Sequence, residues 1–175
     1  MEAEGITIPA PRWTRKVTGT KHGDWQPYFD ARRIANEHGA DISLLFDNDS
    51  LVDGDRCMPV LLDNDGAAYY PKPSEGALDS VTLEQIRDGI EAAGVPIREA
   101  RITLSMILRA SEMIVLGSGL GVQAIGEIDS CLSPDSPCFS ANEPLLEYVV
   151  LIVTPKFMVT GAIAWMAMTS ALREF

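Results

Sequence analysis

The sequence predicts an α+β fold, because segments typical of amphipathic helices occur among a larger number of short apolar runs typical of strands. The 175 residues are enough for one domain with a sizeable core. A hydrophobic share of 46% beside 22% charged residues is ordinary for a globular protein. The composition therefore argues against a disordered chain.

The charge and the cysteines exclude several classes of function. With 25 acidic and 14 basic residues the formal net charge is −11, which repels a nucleic-acid backbone. The three cysteines are too few for a disulfide framework, and Cys131 and Cys138 lack the tight spacing and histidine companions of a zinc site. The N-terminus has no apolar stretch typical of a secretory signal. We therefore expect a cytoplasmic protein without a metal site.

The first half of the chain predicts one helix and several strands. Residues 1–20 contain two prolines and few apolar residues, which predicts an extended lead-in. From Trp25 to His38 apolar residues recur at helical spacing, and Gly39 follows as a typical helix end. Three apolar runs separated by turn signals then predict the strands of a meander, namely SLLF, MPVLL and AAYYP.

The second half predicts another helix and further strands. Thr82 and Gln85 have the spacing of a capping box, and the helix that follows should end at Gly94. The runs VPIREARI and MIVLG predict strands, and LSMILRA predicts a short helix between them. The glycine cluster GSGLGV would let a backbone approach a ligand closely, but it lacks the strand–turn–helix setting of a dinucleotide site.

The most informative pair is Lys21 and Asp53, because their spacing places an amine and a carboxylate on neighbouring elements. A lysine amine can form a Schiff base with an aldehyde, and a carboxylate can keep a pyridine nitrogen protonated. Pyridoxal 5′-phosphate needs both of these groups from its protein.

Four blocks of sequence resemble, in order and spacing, the larger domain of the fold-type IV pyridoxal-phosphate enzymes. This is the class IV aminotransferase family, which includes branched-chain and D-amino-acid aminotransferases and aminodeoxychorismate lyase. The resemblance runs from about Arg12 to Asp129 and implies a mixed sheet or pseudo-barrel with flanking helices over residues 21–148. The blocks are TKHGDWQPYFDARRIANEHGAD, DGDRCMPVL, EGALDSVTLEQIRDGIEAAGVPIREARIT and ASEMIVLGSGLGVQAIGEID.

The resemblance also implies a role for each of five residues. Lys21 would be the catalytic Schiff-base lysine and would later move the proton at the α-carbon of an amino-acid or keto-acid substrate. Asp53 would pair with the ring nitrogen of the cofactor. Val81 and Thr82 would present backbone N–H groups, and Ser118 a hydroxyl, to the cofactor phosphate.

The sequence departs from the family pattern at two of these places. Asp53 stands where the family has a glutamate, so its side chain is one methylene shorter. Asp79 and Ser80 stand where the family has Pro-Gly, and an aspartate near a phosphate opposes its binding. Three alternatives stay open, since Lys21 could be a solvated surface lysine, Asp53 a turn residue and Thr82 an ordinary N-cap.

The chain lacks a counterpart of the smaller domain that this family usually carries. It could therefore be a fragment, a shortened protein completed by a partner chain or a homo-oligomer, or a non-catalytic binding or assembly module. Residues 149–175 form a separate apolar tail of uncertain structure. Its segment Val149–Leu172 has Lys156 as its only charge, so a membrane anchor, a buried strand and helix, and an oligomer contact all stay open.

Overall fold

The computed structural model describes residues 2–11, 23–130 and 139–140. Within these ranges the chain forms one mixed sheet with helices on its surface. The strands are β1 Ala3–Pro9, β2 Ile42–Asp47, β3 Ser50–Gly54, β4 Met58–Leu62, β5 Ala68–Pro71, β6 Ile97–Ala100, β7 Ile102–Thr103, β8 Glu112–Gly117, β9 Gly121–Ser130 and β10 Phe139–Ser140. The helices are α1 Gln26–Glu37, α2 Val81–Ala92 and the short α3 Leu104–Ile107, with a 3₁₀ turn at Pro73–Glu75.

The strand order is β6-β5-β4-β8-β9-β1-β2-β3-β7, and β10 pairs with β9. The pairs β1–β2, β1–β9 and β5–β6 are parallel, whereas the other pairs are antiparallel. Strand β5 also lies against β3 and β7, although these strands are far apart in the order. The sheet therefore curls toward a barrel, and the predicted α+β fold is confirmed.

Two helices bury apolar stripes against different parts of the sheet. Helix α1 packs through Tyr28, Ala31 and Ala35 into a cluster with β1, β2 and β3. Helix α2 packs through Leu83, Ile86 and Ile90 into a second cluster with β4, β5, β6 and β8. Both predicted helices are confirmed. Because they cover separate parts of the sheet, a gap is left between them.

The predicted meander is wrong in its connections. Ser50–Gly54 forms an additional strand, β3, which pairs with β2 and β7. The next strand, β4, pairs with β5 and β8, and four strands separate it from β3 in the sheet. The physical reason is a tight turn, in which the N–H of Gly54 donates to the carbonyl oxygen of Cys57 at 3.0 Å and redirects the chain.

The predicted capping box at Thr82 is also wrong. The N-cap of α2 is Ser80, whose Oγ accepts a hydrogen bond from the N–H of Leu83 at 3.2 Å. Ser80 has an extended backbone and sits two positions earlier, so it satisfies the exposed N–H groups of the first turn before Thr82 can. Thr82 instead lies within the first turn, and its hydroxyl is available for another contact.

The predicted lead-in contributes strand β1, which lies between β2 and β9. The predicted apolar tail, residues 149–175, falls outside the described residues. In the part of the chain that the structure describes, no helix is both long enough and apolar enough to cross a bilayer.

We expect Gly54→Ala to destabilise the fold. A Cβ at this position would lie 2.6 Å from Sγ and 2.7 Å from the carbonyl oxygen of Cys57. Such overpacking typically costs about 1–3 kcal/mol. The control is Gly119→Ala, because no atom of the described residues lies within 4 Å of a Cβ built there. Urea unfolding measures both variants, and an equal effect of the two would contradict the tight packing of the turn.

Candidate functional site

A cavity of about 690 Å³ lies in the gap between α1 and α2. This volume is within the range of small-molecule sites. Four segments form its wall: one face of α1, the turn from β3 to β4, the start of α2, and the turn from β8 to β9. A Cβ at Gly117 would lie 2.8 Å from the carbonyl oxygen of Arg56, so a glycine is needed where these two turns approach each other.

Asp53 is the most buried ionisable group in the cavity wall, since the residue is only 1% exposed. Its Oδ1 accepts a hydrogen bond from the N–H of Gly54 at 2.9 Å. Its Oδ2 is buried and has no hydrogen-bond partner among the residues that the structure describes. Burial raises the pKa of Asp53 to about 8, against the lowering effect of the Gly54 and Leu78 amides. At neutral pH the carboxyl therefore keeps its proton.

A β-bulge lies directly beside Asp53. Leu45 pairs with Asp53 and Phe46 pairs with Leu51, so Val52 is an extra residue on β3. Bulges bend a strand and change the direction of neighbouring side chains. Strand β3 therefore departs from regular pairing with β2 next to Asp53.

Asp55 is a second buried carboxylate in the same wall. Its Oδ2 accepts a hydrogen bond from Nη1 of Arg56 at 2.7 Å, and the Asp55 side chain is 1% exposed. Nη2 of Arg56 donates to the carbonyl oxygen of Asp41 at 2.9 Å. Burial raises the pKa of Asp55, whereas the positive charges of Arg56 and Arg32 oppose the shift. Asp55 and Arg56 therefore form a fixed ion pair at the edge of the cavity.

The N-terminus of α2 presents several hydrogen-bond donors to the cavity. The N–H groups of Val81 and Thr82 belong to the first helical turn, which makes no hydrogen bonds within the helix. Oγ1 of Thr82 lies 3.5 Å from Oγ of Ser118, which belongs to the turn between β8 and β9. Backbone amides, a helix N-terminus and two hydroxyl groups together suit a phosphate or another anion.

Helix α1 contributes the opposite wall, through Trp25 just before it and Tyr28, Phe29 and Arg32 within it. Burial and the neighbouring Asp53 carboxylate raise the pKa of the Tyr28 phenol far above its usual range. These four side chains were not among the residues predicted from the sequence to form a site. Tyr28, Phe29 and Arg32 follow Trp25 by three, four and seven residues, and this helical spacing is the signal that could have placed them on one face.

The structure thus brings together Asp53, Val81, Thr82 and Ser118, which the sequence had placed at one cofactor. What they bind stays a prediction. The fifth candidate, Lys21, lies outside the described residues.

We expect Asp53→Asn to stabilise the protein in a pH-dependent way. An unfolded aspartate has a pKa of about 3.9, and the folded value is about 8. Between these values the folded protein holds a proton that the unfolded chain has released, so stability falls as the pH rises. Asparagine can still accept from Gly54 and cannot ionise, so at the folded pKa it should raise the free energy of unfolding by roughly 5 kcal/mol, at about 1.4 kcal/mol for each pKa unit.

At a pH near or below the pKa of the unfolded aspartate, Asp53→Asn should change the free energy of unfolding little. The carboxyl of the wild type is then largely protonated in both the folded and the unfolded state. Urea unfolding across this pH range is the measurement. Asp88→Asn, which alters an exposed carboxylate on α2, is the control. A stabilisation by Asp53→Asn that does not change with pH would contradict the assignment.

Three solved structures share this architecture at low sequence identity. A fold IV-transaminase from Curtobacterium pusillum has a TM-score of 0.73 and 17% identity, over 87% of this chain and 52% of that chain. A hypothetical aminotransferase from Mycobacterium tuberculosis, in its PLP-bound form, has a TM-score of 0.75 and 13% identity, over 89% and 55%. The branched-chain amino acid aminotransferase from Escherichia coli has a TM-score of 0.72 and 15% identity, over 85% and 50%.

This chain therefore spans about half the length of the structures that it resembles. Among curated proteins no match was found. The family model of amino-transferase class IV matches residues 5–128, which is well over half of the chain. This chain belongs to the class IV aminotransferase family.

Proposed function

We propose that this chain is a pyridoxal-phosphate-dependent protein that carries out amino-group transfer, or the related lyase chemistry, on an amino acid or keto acid. The observation that carries the proposal is Oδ2 of Asp53, a buried oxygen with no hydrogen-bond partner among the described residues. A ring nitrogen would be a suitable partner for this oxygen, because it can take the proton of the carboxyl and then donate a hydrogen bond to the ionised carboxylate. Family membership supports the same cofactor.

When bound, the cofactor supplies an electron sink for negative charge at the α-carbon of a substrate. Asp53 serves this chemistry by keeping a ring nitrogen protonated. Because burial raises its pKa to about 8, Asp53 holds a proton at neutral pH and can transfer it to a nitrogen placed against Oδ2. The resulting opposite charges then favour the ionised carboxylate.

The start of α2 and the turn at Ser118 would hold the phosphate. Val81 and Thr82 offer backbone N–H groups, and the helix dipole favours an anion at this end. The hydroxyls of Thr82 and Ser118 are close enough to contact one oxygen atom together. The exposed carboxylate of Asp79 lines the same cavity and opposes the phosphate, but solvent screens an exposed charge.

Lys21 is assigned to the covalent attachment of the cofactor by the family resemblance alone. A lysine amine loses its proton when it is desolvated and is then both a nucleophile and a mobile base. In this proposal Lys21 holds the cofactor and later moves the proton at the α-carbon of the substrate.

We further propose that a second copy or a partner chain completes the cavity. Phe29 and Val81 line it and are 60% and 61% exposed. Exclusion of water strengthens the electrostatic interactions on which such chemistry depends.

We expect the purified chain to bind pyridoxal phosphate covalently at Lys21. Borohydride reduction should fix a cofactor-sized mass on the peptide that contains Lys21, as seen by mass spectrometry. Lys21→Arg keeps the positive charge but cannot form the link, so the added mass should be lost.

The matched control is Lys72→Arg, which changes a lysine outside the cavity wall. It should leave labelling unchanged. Labelling that persists in Lys21→Arg, or that spreads evenly over several lysines, would show that the proposed attachment is wrong.

A further inference from the structure

The cavity wall formed by α1 has two chemical features that the cofactor contacts described above leave unused. We define the α1 stripe as Trp25, Tyr28, Phe29 and Arg32, which lie on one side of the helix and line the cavity. Three of its members are aromatic and the fourth is a cation. None of these residues is among those proposed to hold the phosphate or the ring nitrogen.

Among the described residues, no carboxylate pairs with the guanidinium group of Arg32. Among the residues that the structure describes, none forms an ion pair or a side-chain hydrogen bond with it. Asp55 is near enough to feel its charge, yet Asp55 is already paired with Arg56. The adjacent Arg33 differs, because it pairs with Glu37 at 2.6 Å. Arg32 therefore has donors available for a carboxylate in the cavity.

Phe29 places an aromatic ring beside this charge. Its side chain lines the cavity although the residue is 60% exposed. Among the described residues four large hydrophobic side chains are exposed, and two of them, Phe29 and Val81, line this cavity. Exposed apolar groups that gather at one cavity indicate a binding surface rather than chance exposure. Trp25, on the same stripe, adds a second ring surface.

The negative charges in the cavity wall favour the α1 side as the position for the carboxylate of a second ligand. Asp79 lines the cavity next to α2 and repels a second anion there. Under the proposed function, Asp53 contacts a ring nitrogen. The positive charge of Arg56 neutralises the Asp55 carboxylate and is not available to another anion. Arg32 is then the cation left for a carboxylate among the residues that line the cavity.

We propose that the α1 stripe selects ring-bearing carboxylates, such as an aromatic amino acid or its keto acid. Arg32 binds the carboxylate, and Phe29 and Trp25 pack against the ring. An aromatic pair adds to the energy of apolar contact, and an arginine can hold a carboxylate through two parallel hydrogen bonds. This inference rests on the proposed function for the reaction, but binding by the stripe does not require turnover.

Isothermal titration calorimetry tests the proposal on the full chain incubated with pyridoxal phosphate. Hydrocinnamate is the probe, because it has a ring and a carboxylate and no amino group to react. Its amide, hydrocinnamamide, keeps the ring but has no charge, so it tests the contribution of the carboxylate. Isocaproate keeps the carboxylate but has no ring, so it tests the contribution of the ring. We expect hydrocinnamate to bind about tenfold more tightly than the amide and about threefold more tightly than isocaproate.

Arg32→Gln should weaken hydrocinnamate binding about tenfold and leave the amide unchanged. Arg33→Gln, one residue along the same helix, should have no effect. Phe29→Leu should remove the preference for hydrocinnamate over isocaproate. Equal effects of Arg32→Gln and Arg33→Gln, or no binding of hydrocinnamate, would overturn the proposal.

A separate readout distinguishes this proposal from the proposed function. The affinity for pyridoxal phosphate should be the same in Arg32→Gln and the wild type. If cofactor binding falls and hydrocinnamate binding does not, Arg32 serves the phosphate and the proposal is wrong. If the cofactor never attaches but hydrocinnamate binds in an Arg32-dependent way, the stripe is supported and the proposed reaction fails.

Discussion

Burial of the Asp53 carboxylate is the constraint around which the cavity is organised. One oxygen accepts from the Gly54 amide, and the other has no partner among the described residues. Leaving such a buried polar atom without a partner costs about 1–3 kcal/mol. The tight turn at Gly54 and the bulge at Val52 nevertheless keep the carboxylate in place. An unsatisfied buried group in a cavity wall needs an explanation, and a ring nitrogen bound against it would provide one.

The two sides of the cavity rely on different physical effects. On the α2 side, backbone amides and the helix dipole favour an anion without any cationic side chain. On the α1 side, the proposed anion site is the Arg32 guanidinium beside the exposed ring of Phe29. Asp53 lies in the wall between a position suited to a phosphate and a position suited to a carboxylate. Under the two proposals, this arrangement would let one cavity bind two anionic molecules without placing their charges together.

Sequence patterns predicted the elements better than their connections. Apolar spacing and the glycines after each helix located α1 and α2, because local backbone preferences decide those ends. The pairing of β4 with β8 depends on a turn at Gly54 whose packing involves Cys57, and single-strand patterns carry no such information. Thr82 fitted a capping box, yet the earlier Ser80 caps the helix. The α1 stripe was visible as spacing, but only the fold shows that it faces a cavity.

Difference infrared spectroscopy of the Asp53 carboxyl tests the central claim most directly. The wild type is compared with Asp53→Asn, before and after addition of pyridoxal phosphate at neutral pH. We expect a protonated-carboxyl band that is absent from Asp53→Asn, and we expect cofactor binding to replace it with a carboxylate band. A protonated band that persists when the cofactor is bound would contradict the assignment of Asp53 to the ring nitrogen.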